Sequence, residues 1–383
     1  VPVVIGYMLT LAFQGMRPGV FATVLMLLVA SQLLILRKLH IRTLPDILAL
    51  VFFSYQILSV IWLLKGGFSF HIFLAETVAS VLPMVFYFVG RDPECEAGRW
   101  YRNYLIAMLI LGIAGVILYA FAPQFYNEWS VAMEYTSKAD AATTRVRMNS
   151  VVGSTVLSFL MVTGMLCAAF FLKKDPDGNG DADDAGIKAH GIPDRIFGAV
   201  CMALCLLFAI LANQRSGLVA AALVIVYVNL LIFFVLKLLP KKFFWIELAL
   251  ITVFVILVGV VRFDFLLKYW YRIVSLPSAI SERSGQWVAA VNNMYSTWLG
   301  NGTGANSHHA LGIEGAHVIA DGGLIKLYCE TGVVGFSMWV FLLILSCKKG
   351  IEDLSSYYTE LGIVEVGLLQ SIGSNMLAFQ LCA

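Results

Sequence analysis

Charge is scarce in this chain. Only 13% of its residues are Asp, Glu, Lys or Arg, where a soluble domain carries about 25%. That shortage excludes an ordinary water-soluble globular domain, and a net charge of +2 gives no electrostatic footprint for a nucleic-acid partner. Cysteine is present but unpatterned. The seven (Cys95, Cys167, Cys201, Cys205, Cys329, Cys347, Cys382) sit mostly inside apolar runs and show neither disulfide-framework nor metal-ligand spacing. They read as small core residues. The chain also has no H-E-x-x-H zinc signature, no G-x-S-x-G elbow and no internal repeat. These absences argue against an intramembrane protease and against a transporter built on repeats.

What the chain has in abundance is apolar sequence: 60% of its residues are hydrophobic. Runs of bilayer-crossing length predict eleven spans, at about 1–15, 18–36, 43–64, 69–90, 104–122, 151–172, 196–214, 217–236, 243–261, 322–346 and 359–382. The expected fold class is all-α: a polytopic integral membrane protein of about 11–12 transmembrane helices, forming a single transmembrane domain over residues 1–383. The opening residues VPVVIGYMLTLAF read as part of a span and not as a cleaved signal. With no initial Met and a stop soon after a span, trimming at one or both ends is expected.

The short loops RKLHIR, KLLPKK and CKKG are strongly basic. The positive-inside rule then places the N-terminus and the loop at about 173–195 in the cytoplasm. Outer loops fall at about 123–150 and 262–321. They hold arginines against the topological bias, and a bound anion is the economical reason.

Four outer segments carry candidate residues. In the turn NQRSG, Asn213 to Gly217, Arg215 stands where one helix ends and the next begins, with Gly217 permitting the reversal. A guanidinium fork matches phosphate oxygens, and a helix start favours an anion; snorkelling to lipid headgroups is the alternative. In SERSGQWVAAV, Ser281 to Val291, Arg283 and Trp287 share one face if the segment is helical. The indole then stacks on the guanidinium or a sugar ring, or anchors an interfacial helix. TTRVRMNSVVGST, Thr143 to Thr155, offers Arg145, Arg147 and Asn149 to a polar cavity or to headgroups.

The fourth segment is GAHVIADGGLIKLYCETGVVGF, Gly315 to Phe336. At helical spacing His317 pairs with Asp321, and Lys326 with Glu330. A carboxylate beside an imidazole is a means of accepting a proton; a polar pre-helix loop facing water is the plainer reading. His308 and His309 lie just upstream, after the glycine turn WLGNGTGAN, which is no dinucleotide fingerprint because no strand precedes it. DPDGNGDADDAG, Asp175 to Gly186, begins like an EF-hand loop, but its twelfth position is Gly186 and not Glu. It reads better as a flexible solvated loop.

Taken in order, the NQRSG turn, the R-x-x-x-W of Arg283 and Trp287, the glycine turn (Gly300, Gly302, Gly304) and LIKLYCETGVVGF resemble the O-antigen ligase/polymerase superfamily of bacterial inner membranes, over about residues 143–345. The resemblance implies a metal-independent glycosyltransferase of GT-C-like architecture with no cofactor. Its donor would be an undecaprenyl-pyrophosphate-linked oligosaccharide presented at the periplasmic face. The acceptor would be another lipid-linked glycan or lipid A-core, with the lipid bilayer around it and a chain-length regulator protein as a further partner.

With no metal signature, arginines must stabilise the charge growing on the diphosphate leaving group. Arg215 and Arg283 would bind it, with Arg145, Arg147, Trp287, His308 and His309 completing the phosphate and sugar contacts. Asp321, His317 and Glu330 are the catalytic candidates, Asp321 or His317 as base. Ligases of the superfamily carry a histidine nine residues before the acid of the E-x-G pattern; here that position is Asp321. The departure favours a polymerase, with ligase as the alternative and a transporter or lipid flippase as the alternative outside enzymes.

Overall fold

The computed structural model describes residues 41–90, 97–121, 148, 150, 154–172, 192–230, 276–319 and 322–350, with scattered positions between 245 and 274. Among these residues the chain is helical and holds no strand. Among the described residues four helices are long and apolar enough to cross a membrane: Leu44–Lys65, Gly98–Phe121, Pro193–Ala212 and Gly323–Leu345. Shorter apolar helices run over Val156–Phe170 and Gly217–Leu230. The class is an all-α membrane protein. The spans expected at 1–15, 18–36 and 359–382, most of 243–261, and the Asp-rich loop 175–186 lie outside the described residues.

The described helices fall into two groups. The first begins with α1 (Leu44–Leu58) and α2 (Val60–Lys65), which follow each other through Ser59. Asp46 caps α1 by accepting from the Thr43 amide at 2.9 Å and the Thr43 hydroxyl at 2.6 Å, and Pro45 sits in the first turn, where its missing N–H is no loss. The span expected as one helix over 69–90 is interrupted. It runs as α3 (Phe70–Glu76), a π turn (Thr77–Val81), a 3-10 turn (Leu82–Met84) and α4 (Val85–Gly90). Pro83 supplies a cause, since it cannot donate to the carbonyl four residues back. The group is completed by α9 (Leu276–Asn292) and α10 (Gly323–Gly350); its main apolar core is Ala49, Phe52, Met84, Phe88, Leu327, Trp339 and Leu342.

The second group holds α5 (Ala97–Phe121), α6 (Ser154–Phe170), α7 (Ile192–Ala212) and α8 (Arg215–Leu230). Its core runs continuously through Leu105, Met108, Leu157, Leu160, Phe208 and Val224. Lipid is as apolar as leucine, so such helices associate by close packing at small residues. Gly164 sits against Cys205, and Gly198 against the Ala168 carbonyl and Phe171. On the outer face of α5, Ile106, Ile110, Ile113 and Ile117 form a stripe at helical spacing and are 45–63% exposed. A helix apolar on both its packed and its open side is suited to lipid. Leu82, in the 3-10 turn of the first group, packs against this second core.

Candidate functional site

The polar centre of the molecule forms where α10 breaks. Gly332, inside α10, has φ 65° and ψ −171°, which no helix residue adopts. A straight helix would bond the Val333 amide to the Cys329 carbonyl and the Val334 amide to the Glu330 carbonyl. Instead, the loop 297–302 inserts. Val333 donates to the Thr297 carbonyl at 2.9 Å and Val334 to that of Trp298 at 3.3 Å, while the Cys329 and Glu330 carbonyls accept from Asn301 and Gly302, both at 2.8 Å. Two helical bonds are replaced by four bonds to the loop, so the break leaves none of these four backbone groups unpaired. The backbones approach so closely at Gly300 (φ 78°) and Gly332 that a Cβ on either would strike the other segment's main chain.

The same loop is held from the other side. Thr303 donates its amide to the Ser59 hydroxyl at 2.9 Å, and the two hydroxyls lie 2.8 Å apart. Gly302 rests on the Ser59 carbonyl and Leu63, and Gly304 on Ile72 and Glu76. Tyr55 reaches across to donate to the Thr331 carbonyl at 2.8 Å. The glycine turn expected over Trp298 to Asn306 is thus a wedge between α1–α3 and α10, with residues 300–307 buried.

Three buried ionisable side chains lie under it. Lys326 on α10 is 2% exposed and places Nζ 2.6 Å from Glu76 Oε1, 250 residues away in sequence. Glu330 Oε1 stands 4.0 Å from the same ammonium. The expected helical pair of Lys326 and Glu330 is therefore the looser half of a triad. Glu76 ends α3 where the π turn begins and also accepts from the Ser80 hydroxyl. Glu330 accepts from the amides of Asn306, at 3.3 Å, and Gly304. Asn306 in turn accepts from the Asn301 side chain at 2.9 Å and donates to the His317 carbonyl at 2.7 Å.

At the mouth, Ser307 caps a 3-10 turn, His308–Ala310, that leaves His308 and His309 exposed. Desolvation of the ring by the groups around it, although an edge stays open to solvent, is the main reason the His309 imidazole is held below the usual histidine range; Glu76 opposes it and Lys326 adds to it. His317 does not take the helical relation to Asp321 expected of it. Residues 316–319 are irregular, pinned to Asn306 at the His317 carbonyl and the Ile319 amide, and α10 begins only at Gly323. Asp321 lies outside the described residues.

Arg283 and Trp287 do lie on one helix, α9. Trp287 packs with Ala290, Ile319 and Cys329 and closes over Gly322 (φ 124°), at the start of α10, while Arg283 is exposed one turn earlier. Arg215 opens α8, and its turn differs from expectation in one respect. Asn213, at φ 52°, makes the reversal; Gly217 is inside the helix, where its lack of a side chain admits Ser158. The segment after Arg145 and Arg147, which are outside the described residues, meets this turn. Met148 donates its amide to the Leu211 carbonyl at 3.1 Å, and Gln214 donates to the Ser154 hydroxyl at 2.6 Å.

Two assemblies result. One joins α9, the glycine wedge, His317 and the head of α10; the other joins the NQRSG turn to Met148 and Ser154. Glu76, Asn301 and Asn306 were not singled out by sequence reasoning. For Glu76 the signal was present: a lone carboxylate within FHIFLAETVASVLPMVF is an ionisable group in a span. Among the described residues no three His, Cys, Asp or Glu side chains are grouped as metal ligands. No protein-family model matches this chain, and no curated protein sequence matches it.

Proposed function

We propose that this chain is a membrane-embedded glycosyltransferase that moves an undecaprenyl-pyrophosphate-linked glycan onto a sugar hydroxyl of another lipid-linked repeat unit, as an O-antigen-type polymerase does. The observation that carries the reading is the wedge. The R-x-x-x-W helix, the glycine turn and the E-x-G helix, scattered over residues 283–332, pack into one polar unit interlocked at Gly300 and Gly332. A resemblance resting on the order of short motifs gains weight when those motifs touch. By the positive-inside rule this end of the bundle faces outward, the periplasmic side of a bacterial inner membrane.

In this reading the arginines Arg215 and Arg283, helped by Arg145 and Arg147, hold the diphosphate and stabilise its charge as the glycosidic C–O bond breaks. Trp287, His308 and His309 line the approach. The acceptor oxygen attacks the anomeric carbon from the opposite face, inverting it, and its proton passes to His317 or Asp321. Glu330, enclosed by loop amides and Lys326, holds the wedge. Purified protein reconstituted with the lipid-linked oligosaccharide alone should build ladders of lengthening glycan. Transfer only after lipid A-core is added would make it a ligase. Within the active protein, Arg215→Lys should lower kcat sharply with folding intact, and Asp321→Asn compared with His317→Ala identifies the base.

One observation favours a second reading. The spans 70–90 and 323–350 are both interrupted, and buried ions lie between them, an arrangement that transporters use to hold substrate and coupling ions. Movement of solute or lipid in the same liposomes, without glycan transfer, would select a transporter or flippase.

A further inference from the structure

We propose that Asn306 is a positioning residue, one that sets the register between the helix carrying Arg283 and the segment carrying His317. The inference rests on the transferase reading, in which the first binds the donor and the second supplies or adjoins the base. Asn306 is 1% exposed and so touches no substrate. All of its polar groups are engaged. Its amide donates to Glu330 at 3.3 Å, its carbonyl accepts from Ile319 at 3.0 Å, and its side chain accepts from Asn301 and donates to the His317 carbonyl.

Asn301 carries the connection onward. Its side-chain oxygen accepts from the Tyr295 amide at 2.6 Å, three residues past the end of α9, and its own amide donates to Cys329 on α10. The two asparagines thus bridge the end of α9, the head of α10 and the His317–Ile319 segment, their side-chain amides joining Tyr295 to His317 and their main-chain groups joining α10 and Ile319. Burial protects these bonds from competing water, and each half of an amide can be satisfied only by the opposite kind of group. Register is therefore specified more tightly than apolar packing of a glycine-rich loop would specify it. Serine or alanine at position 306 would release the His317 carbonyl and leave Asn301 without its acceptor.

The test compares Asn306→Ala and Asn306→Asp with wild type in liposomes, reading amide hydrogen exchange and transfer kinetics. Asn306→Asp keeps the volume and the acceptor for Asn301 and removes the donor to His317, so it decides the matter if the alanine variant does not fold. The proposal expects faster exchange at His317–Ile319 with Gly323–Glu330 still protected, and a kcat lowered about 100-fold, the loss that follows a displacement near 1 Å. Donor KM should hold within about twofold, since the phosphate-binding groups are untouched. Unchanged exchange at His317–Ile319, or a rise in KM at constant kcat, would overturn the proposal while wild type still transfers glycan. A wild-type protein that transfers none overturns the transferase reading, and this role with it.

Discussion

The two helix groups solve one problem, association in an apolar solvent, by opposite means. α5–α8 are joined mainly by close apolar contact, with glycines against Phe208, Cys205 and Ala168, beside polar links such as Tyr104 to the Leu160 carbonyl and Arg102 to Asp194. The group containing α10 interposes a hydrogen-bonded loop and three buried ionisable side chains between its helices. Apolar packing carries no directional requirement, so its loss at one contact is graded with distance. A buried ion pair is less forgiving, since separation leaves each charge desolvated and unpaired. The first solution makes a scaffold and the second fixes a geometry. A protein that holds reactive groups in place needs the second kind at its site.

Removing the cation should break this contrast most severely. Lys326→Met leaves Glu76 and Glu330 buried without their counter-charge, and the expected loss is about 3–5 kcal/mol, read as a large fall in thermal unfolding temperature in detergent. Combining it with Glu76→Gln and Glu330→Gln should recover much of that loss. A conservative change in the apolar group, Met108→Leu, should cost under about 1.5 kcal/mol by comparison.

Gly332→Ala ranks next. Alanine must adopt φ 65° and place its Cβ against the Trp298 carbonyl, which predicts about 1–3 kcal/mol of lost stability and faster exchange at Val333 and Val334. The apolar group offers a test of opposite sign. Thr163, 4% exposed, buries a hydroxyl with no hydrogen-bond partner among the described residues, so Thr163→Val should stabilise by about 1 kcal/mol in the same melt.

The smallest effect concerns pH. The His309 value is lowered in the folded protein, so below about pH 6.5 the unfolded chain binds a proton that the folded one resists. Stability should therefore fall as pH drops below that point and level off once the lowered value is passed. His309→Gln should abolish this component of the acid-side slope.

How much of this was legible in the sequence follows from the range of the forces involved. Span 43–64 emerges as Leu44–Lys65 because apolar length is a local property. Span 104–122 begins seven residues early, at Ala97, because the polar turn AGRWYRN stays helical. There Arg102 pairs with Asp194 and lies over the rings of Phe171 and Phe197, contacts that hydropathy does not register. The interruption at Gly332 was hidden because glycine is common in membrane helices, and its meaning comes from a loop that arrives from 30 residues upstream. Helical spacing offered Glu330 as the partner of Lys326; the nearer partner, Glu76, belongs to another span. Arg283 and Trp287 were placed correctly on one helix face, since i, i+4 spacing needs no tertiary knowledge. The link through Asn301 and Asn306 was invisible, because nothing in NGTGANS distinguishes a buried bridge from an exposed turn.

The exchange of bonds at Gly332 also bears on how the protein is made. Residues 297–302 and 329–334 are joined by four backbone hydrogen bonds, two donated from each side. While the loop is absent, as during insertion of α10, the only complete solution is a straight helix, which glycine also permits. On that straight helix Lys326 and Glu330 already face each other one turn apart, partly neutralised before Glu76 is within reach. The helix would thus enter the membrane in one shape and acquire its working shape when the loop docks. Docking of the loop would then exchange two helical bonds for four.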